Sequence, residues 1–548
     1  MAMQDLTLVM AQLDPMVGDI AANTAAAIEA VREARLEHGA DVVVFSELFL
    51  TGYPPEDLLL REAMESRLQD ALEEMARKID KIAPETLVII GYPGVRRGQR
   101  YNLAGVLLGG EWRGEYAKQA LPNYQVFDED RYFEPGHEPL MIEHKGARLG
   151  ILICEDLWDG APVRQAAEAG ADILVTLNAS PFHLDKPAER ERLFAERARE
   201  VGRPLVYVNA IGGQDELVFD GGSLVLDAAG EVAVRAPFWQ VGLMPVRFTR
   251  DEASWEPQGG EREPLLGAEE NLYCALVTGL RDYVNKSGFK GVVMGLSGGI
   301  DSSLSLAIAV DALGPDRVHA VMMPYHYTAE ISQADAAEQA KMLGVGYEVM
   351  PIAPMVEAFT ATLADSFSGL AADTTEENLQ SRVRGVLLMA ISNKKGLMVQ
   401  TTGNKSEMAV GYATLYGDMV GGYNALKDVY KTWVYRLANW RNAQEPAIPE
   451  RVITRPPSAE LAPDQQDSDS LPGYDVLDAI LERYIERDMS AEAIIEAGFE
   501  RDDVYRVVKL VDRSEYKRRQ APVGVRVTLR GFGRDRRYPI VNGWQPGA

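Results

Sequence analysis

Residues 294–303 read MGLSGGIDSS and follow the apolar run Gly291-Val292-Val293. The pattern is a buried strand entering a glycine-rich turn, with hydroxyls and one carboxylate where a helix should start. Gly298 and Gly299 let backbone N–H groups close in on phosphate oxygens, and the helix start behind them adds a favourable dipole. Ser297, Ser302 and Ser303 add donors, and Asp301 is suited to a magnesium ion held between phosphates. The Gly-Lys pair and spacing of a Walker loop, whose lysine reaches the outer phosphates, are missing. Ser and Asp are also common in an ordinary capped turn, so the glycine pair alone leaves both readings open.

Outward from this loop, the order from Glu269 is helix, strand GVVMGLS, loop, helix SSLSLAIAVDAL, strand VHAVMMP and helix ISQADAAEQAKML. That is the βαβα order of a doubly wound, parallel-sheet domain, expected over 269–548. A long helix near 377–392 and a strand GLMVQTTG follow. The polar patch APDQQDSDSLP at 462–472 has the composition of a mobile or flexible surface loop.

The first half has another rhythm. Short β-rich runs recur at 6–12, 41–47, 87–91, 149–154, 173–180 and 204–212, several separated by charged, alanine-rich helical segments such as AAAIEAVREARLEH. Runs near 101–108 and 222–228 read as hairpin ladders. An α/β domain with largely buried strands is expected over 1–250. The stretch RDEASWEPQGGEREPLLGAEE at 250–270, rich in acids, is the linker candidate, placed at 251–268. No internal repeat or heptad pattern is present.

A chain of 548 residues exceeds one ordinary core, which fits two domains. Apolar content of 46% with 25% charged residues is that of a soluble globular protein, and a net charge of −26 argues against a nucleic-acid partner. No apolar run approaches membrane-spanning length, and the opening MAMQDLTLVMAQ lacks a basic region leading into an apolar one, so neither a membrane span nor a secretory signal is expected. Two cysteines, Cys154 and Cys274, suit a reducing cytoplasm better than a disulfide.

The full string SGGIDSS resembles the pyrophosphate-binding loop of the ATP pyrophosphatases, which adenylate an acid or amide oxygen and release pyrophosphate. A loop that grips the leaving pyrophosphate needs no kinase lysine. EENLQSRVRG at 376–385, TTGNKSEMAVGYATLYGDMVGG at 401–422 and SEYKRRQAPVGVRVTLRGFGRDRRYPI at 514–540 resemble the signature of NAD synthetases. The resemblance implies that Gly295, Leu296, Ser297, Gly298, Gly299, Ile300, Asp301 and Ser302, with Thr402 and Glu407, contact ATP. It also implies that Asp301 and Glu407 share a magnesium ion, and that Asn378 and Lys517 contact deamido-NAD (nicotinate adenine dinucleotide). Lys405, Lys517, Arg518 and Arg519 read either as cations that neutralise phosphate or as solvated surface charge. Met408, Leu415 and Tyr416 read as packing residues. Ala329, in PYHYTAEIS, stands where serine is often seen in this family.

Such a synthetase needs ammonia, so the first half is read for an amidase. Cys154 ends the strand LGILIC and precedes Glu155 and Asp156. A lone cysteine there reads as a small buried hydrophobe, or as a nucleophile if a base or cation activates it. Glu47 ends DVVVFSE and Lys118 lies in YAKQALPNYQVFDEDRYFEPG; singly they read as a helix cap or ion-pair partner and as a surface residue. Together the three resemble the Glu-Lys-Cys triad of the nitrilase superfamily, the carbon-nitrogen hydrolases, over about residues 5–245, which implies an α-β-β-α sandwich. The resemblance implies that Glu47 is the general base, that Lys118 stabilises the oxyanion and that Cys154 carries the thioester. Tyr124, Ser180 and Lys186 match positions that hold glutamine in glutamine-dependent synthetases.

The two halves together resemble the glutamine-dependent NAD synthetases. The implied substrates are L-glutamine, ATP and deamido-NAD, with Mg2+, and the implied setting is a cytoplasmic homo-oligomer without nucleic-acid or membrane partners. The alternatives are an amidase joined to an ATP pyrophosphatase that serves another adenylated acid or amide, and a catalytically dead nucleotide-binding scaffold. The scaffold predicts damage at a catalytic position, and all are present. A dehydrogenase is disfavoured because no GxGxxG opens either domain.

Overall fold

The computed structural model describes residues 4–251, 254–456 and 471–544. The chain forms two compact units, Met1–Gln214 with Val218–Leu266, and Gly267–Ala548 with Asp215–Leu217.

Among the described residues of the first unit there are two main sheets. One runs in the order Trp255–Pro257, Gly242–Arg250, Gln4–Gln12, Val42–Val44, Leu87–Arg96, Gln99–Leu108, Glu111–Ala117; the other runs Val232–Arg235, Leu224–Leu226, Leu205–Asn209, Ile173–Asn178, Ala147–Ile153, Leu140–His144. Strand periodicity explains the layering. Along Gln4–Gln12, Leu6, Leu8 and Met10 face the core between the sheets, together with Leu149, Ile151 and Ile153 of the second sheet. Val9 and Ala11 point the other way, onto the helices Ile20–His38 and Glu62–Ile82. Because both faces are buried there, Leu8–Ala11 reads as a continuous apolar run and not as an alternation. The helices Ala161–Glu168 and Lys186–Val201 cover the second sheet through Val163, Ala166, Phe194 and Ala198. The unit is a helix–sheet–sheet–helix sandwich.

The linker expectation at 251–268 meets a different arrangement. Trp255–Pro257 pairs with Gly242–Arg250, Trp255 is only 1% exposed, and the Arg262 guanidinium donates to the Ala233 carbonyl at 3.1 Å. One buried tryptophan, worth roughly 150–250 Å² of covered surface, binds this polar stretch to the first unit.

The second unit holds a parallel sheet in the order Gly346–Val349, Val318–Met322, Val292–Gly295, Met398–Thr401, Tyr423–Asn424 among the described residues. The chain builds outward from Val292–Gly295 on one side, then returns to Met398–Thr401 on the other. The MGLSGGIDSS loop therefore leaves the sheet at the point where strand order reverses, where α/β sheets open a crevice beyond their carboxyl ends. The helices Tyr474–Leu481 and Arg501–Arg513 form a separate apolar cluster through Leu477, Leu481, Val504 and Val508. Residues 462–470 of the polar patch lie outside the described residues. Among the described residues no helix is long and apolar enough to cross a membrane.

Candidate functional site

Cys154 is the hinge between the strand Ala147–Ile153 and the short helix Glu155–Asp159, at φ +41°. A non-glycine residue held at positive φ is strained, and here its neighbours hold it. The Asp156 carboxylate accepts from Ile153 N at 2.9 Å, Tyr116 OH at 2.9 Å, Gln119 N at 3.1 Å and Ala120 N at 2.9 Å. It thereby locks the cysteine turn to the chain just after Lys118. Burial pushes Asp156 up to about 6 even with these donors.

The structure brings Glu47, Lys118 and Cys154 together. Lys118 is 1% exposed and its ammonium lies 2.7 Å from Glu47 Oε1. Asn102 Nδ2 donates to the same oxygen at 2.8 Å, and Ala179 N donates to Glu47 Oε2 at 3.2 Å. Glu47 reaches this place because Gly91 on the neighbouring strand has no side chain; a Cβ there would lie 2.3 Å from Leu48 N. Lys118 opposes its own burial with the charges of Glu129 and Glu47, which hold the ammonium charged. Burial, then the charge of Glu47, pushes the Cys154 thiol well above its usual range. Cys154 therefore rests as a thiol, and would need a base within reach to act as a nucleophile.

Sequence reading passed over Glu129. Its carboxylate lies 2.9 and 2.8 Å from Lys118 Nζ and accepts from Tyr53 OH at 3.0 Å. Burial pushes it up to about 7 against the pull of Lys118. Two buried carboxylates thus share one ammonium. Glu129→Gln keeps the shape and removes one of the two charges that fix Lys118. The expected result is a fall of roughly 10²-fold in glutamine-driven turnover, with the ammonium-driven rate unchanged; equal rates with both donors in the variant and wild type would refute the assignment.

Tyr124 is half exposed and donates to Glu155 Oε1 at 2.9 Å, next to Cys154. Lys186 sits with its ammonium 3.5 Å from the Trp158 ring centroid and 3.5 Å from Glu189 Oε2. Burial, then the charge of Arg190, lowers Lys186 to about 8. Ser180 is buried at the end of the strand Ile173–Asn178, where its N–H donates to Asn209 Oδ1 at 3.0 Å.

In the second unit the loop is tied to itself. Ser297 Oγ and Ser302 Oγ lie 3.0 Å apart, Ser302 Oγ donates to Gly299 O at 3.0 Å, and Gly299 N donates to Ser297 Oγ at 3.2 Å. Ser297, Gly298, Gly299, Ile300, Asp301 and Ser302 line a cavity of about 220 Å³, with Thr402 and Glu407 in the same wall. A second cavity of about 260 Å³, reached by Gly295 and Leu296, has the apolar walls Val321, Met323, Leu388 and Val420 and shares Ser297, Thr402 and Asp418 with the first. Burial pushes Asp418, at this shared wall, up to about 6.

The NKSE string works through a capping box. Glu407 N donates to Asn404 Oδ1 at 3.0 Å and Asn404 N to Glu407 Oε2 at 3.2 Å, starting the helix Lys405–Val410. Asn404 Nδ2 also donates to Asp301 Oδ1 at 2.9 Å, so one cap residue fixes both carboxylates. Lys431, absent from the sequence reading, pairs with Asp301 and lies 3.8 Å from Glu407. Burial works against its charge, but these two carboxylates outweigh it.

Other assignments change. Lys405 is neither solvated nor in the cavity wall: it is fully buried, 2.9 Å from Asp428 and from Glu486 and 2.7 Å from Thr528 Oγ1. Arg518 is also buried, with its guanidinium on Glu515 and the Ala409 carbonyl; Arg519 reaches Glu515 and the Tyr538 carbonyl. Lys517 donates to the Gly411 and Ala413 carbonyls at 2.7 Å, and Asn378 Oδ1 accepts from Thr414 Oγ1 at 2.8 Å. Neither of the last two lines the two cavities; both hold the segment 411–414, whose Tyr412 and Ala413 do line the first. Tyr416, expected to pack, is 64% exposed and donates to Gln520 Oε1. Met408 is buried and lines the first cavity, while the half-buried Leu415 accepts from Arg382 through its carbonyl. Ala329 is the N-cap residue of the helix Glu330–Leu343 and offers no side-chain oxygen there.

The carbon-nitrogen hydrolase family pattern matches residues 7–254 and the NAD synthase pattern residues 272–521. The chain is 49% identical over 547 residues to a glutamine-dependent NAD(+) synthetase of Acinetobacter baylyi, covering 99% of this chain and 100% of that one. It is 43% identical over 581 residues to the Thermotoga maritima protein of the same description, covering 98% and 99%. The structure of the glutamine-dependent NAD(+) synthetase of Acinetobacter baumannii in complex with ADP is 47% identical, with a TM-score of 0.80 over 99% of this chain and 100% of that one. Matches of this extent span both units and the order in which they occur. The chain belongs to the glutamine-dependent NAD(+) synthetases.

Proposed function

We propose that Glu47, Lys118 and Cys154 release ammonia from L-glutamine, and that the loop around Asp301 activates a carboxylate with ATP to receive it. On this reading the carboxylate is that of deamido-NAD, which is amidated to NAD with AMP and pyrophosphate as the other products. In the first unit, Glu47 takes the Cys154 proton as sulfur attacks the glutamine amide carbon. Lys118 steadies the oxyanion, Glu47 passes the proton on to the amide nitrogen as ammonia leaves, and Glu47, again a carboxylate, activates the water that cleaves the thioester. In the second unit, a nicotinate carboxylate oxygen attacks the α-phosphorus of ATP and pyrophosphate leaves. Ammonia then adds to the acyl carbon and AMP departs.

Two features support placing ATP here. The N–H-rich turn of Gly298 and Gly299 faces a cavity lined in part by Asp301, Thr402, Glu407 and Lys431, and the adjoining apolar cavity under Leu296 and Met323 has the character of a base pocket. Asp301 and Glu407 already surround a cation, the Lys431 ammonium. Among the described residues no group of three or more His, Cys, Asp or Glu forms a ready-made metal cluster. Magnesium suits such a donor set, because it commonly takes one or two carboxylates and completes its shell with phosphate oxygens and water. When bound it would neutralise phosphate charge; Asp301 and Glu407 would hold it. Asn378 and Lys517 act on deamido-NAD, on this reading, from beside the segment 411–414.

One observation carries the reading: a buried cysteine beside a glutamate–lysine pair and a glycine loop facing Asp301, Glu407 and Lys431 occur in one chain. The test is to follow NAD formation from deamido-NAD, ATP and magnesium, with glutamine or ammonium, and to identify the nucleotide products. AMP and pyrophosphate are expected; ADP would rule out adenylation. We place the enzyme in the cytoplasm as a homo-oligomer, with both cysteines as free thiols.

If Lys186 holds the glutamine carboxylate, its charge matters. It is an ammonium below about 8 and loses its charge as pH rises through that value. The glutamine kcat/KM, which reports the free enzyme, should therefore fall above about pH 8. Lys186→Arg should carry the plateau to higher pH, since a guanidinium stays charged. An unchanged alkaline limb in the variant would remove Lys186 from this role.

A further inference from the structure

The reaction above does not use the buried arginine next to the glutamine site. Arg190 is 2% exposed and lies one helical turn beyond Lys186, on the same face of the helix Lys186–Val201. Its NH1 lies 2.8 Å from Asp220 Oδ1 and 3.0 Å from Oδ2, and its NH2 donates to the Ser180 carbonyl at 3.3 Å. Asp220 Oδ1 accepts from Asn209 Nδ2 at 3.4 Å, and Asn209 Oδ1 accepts from Ser180 N at 3.0 Å. The contacts close a circuit that starts on the carbonyl of Ser180 and ends on its N–H. Asp220 and Asn209 have no exposed surface and Ser180 is 5% exposed.

We propose that Arg190, anchored on Asp220, is a positioning residue that fixes Ser180 for glutamine binding. The inference deepens the glutamine-site reading and rests on it. A buried ion pair is a poor way to stabilise a fold, because desolvating both charges offsets most of their attraction and an apolar pair of similar volume commonly serves as well. What an arginine supplies is a planar set of donors that reaches two acceptors in fixed directions, here a carboxylate and a peptide carbonyl. The circuit leaves the Ser180 peptide no freedom to turn. The neighbouring Ala179 N–H meets Glu47, but Glu47 is held separately by Lys118 and Asn102, so the effect of Arg190 falls mainly on substrate binding.

The test uses the full chain and Arg190→Lys. A lysine keeps a charge for Asp220 but lacks the fork that also reaches Ser180. The glutamine KM should rise about ten-fold while kcat falls by less than about three-fold, and the ammonium-driven rate should stay at the wild-type value. In a Ser180→Ala background, Arg190→Lys should add no more than about two-fold to KM, because both changes act on one contact. The double variant R190M/D220L removes both charges together, should stay folded as judged by a thermal melt, and should show the same KM rise. A wild-type glutamine KM in R190K or in the double variant, or fully additive effects with Ser180→Ala, overturns the proposal. A wild-type KM in Ser180→Ala alone overturns the glutamine-site reading itself, and this inference with it.

Discussion

Cys154→Ala should abolish NAD formation from glutamine, by about 10³-fold or more, and leave the ammonium-driven rate within about two-fold of wild type. The loss is large because nothing nearby can replace the sulfur. Cys274 is the other cysteine, and it belongs to the second unit, on the helix Ala268–Lys286. Ammonium supplied from solution bypasses the step the thiol performs, so the second unit should work as before. The substitution is also gentle on the fold: Cys154 is small and buried, and its strained turn is held by the four contacts of Asp156, which alanine leaves in place. Loss of activity with both donors would place Cys154 in folding or in the synthetase step. Retention of both would remove it from the reaction. A hydrolysis assay without ATP separates the two events further, since glutamine cleavage should vanish along with the glutamine-driven synthesis.

Features that lie along the chain were legible in the sequence. The strand before MGLSGGIDSS, its helix and the α/β order around it follow from local periodicity, and Cys154 shows itself by standing at a strand end. Residues selected by tertiary contact were not legible. Glu129 stands in the run Asp128-Glu129-Asp130, and only the positions of Lys118 and Tyr53 single it out. Lys431 lies 130 residues from Asp301 and has no neighbouring motif to mark it. Lys405 misleads in the opposite sense. It adjoins the functional-looking Asn404 and Glu407, yet the helix they cap turns it toward Asp428 and Glu486. Composition misleads at 251–268 for a related reason, because one tryptophan can outweigh many acids when a strand edge is available to receive it.

Gly298→Ala should suppress NAD formation with both donors, by roughly 10²-fold or more, and so separates the second unit as Cys154→Ala separates the first. Gly298 has φ +79°, where an L side chain is strained by about 1–3 kcal/mol. Space is the harder limit. A Cβ there would lie 2.2 Å from the Ser332 carbonyl oxygen, and that oxygen belongs to the first turn of the helix Glu330–Leu343. Backbone cannot swing aside as a flexible side chain can, so the loop must lift away from the helix. Lifting it displaces the N–H groups of the turn and breaks the Ser297–Ser302 contact that shapes it. On this reading those N–H groups, with the serine hydroxyls, do what a lysine does in other phosphate loops. The departing pyrophosphate should therefore lose its cradle whichever source supplies ammonia. Glutamine cleavage measured alone shows whether the first unit is intact, and a thermal melt shows whether the second unit still folds. A folded Gly298→Ala protein that makes NAD from ammonium at the wild-type rate would mean that this turn does not hold the phosphates.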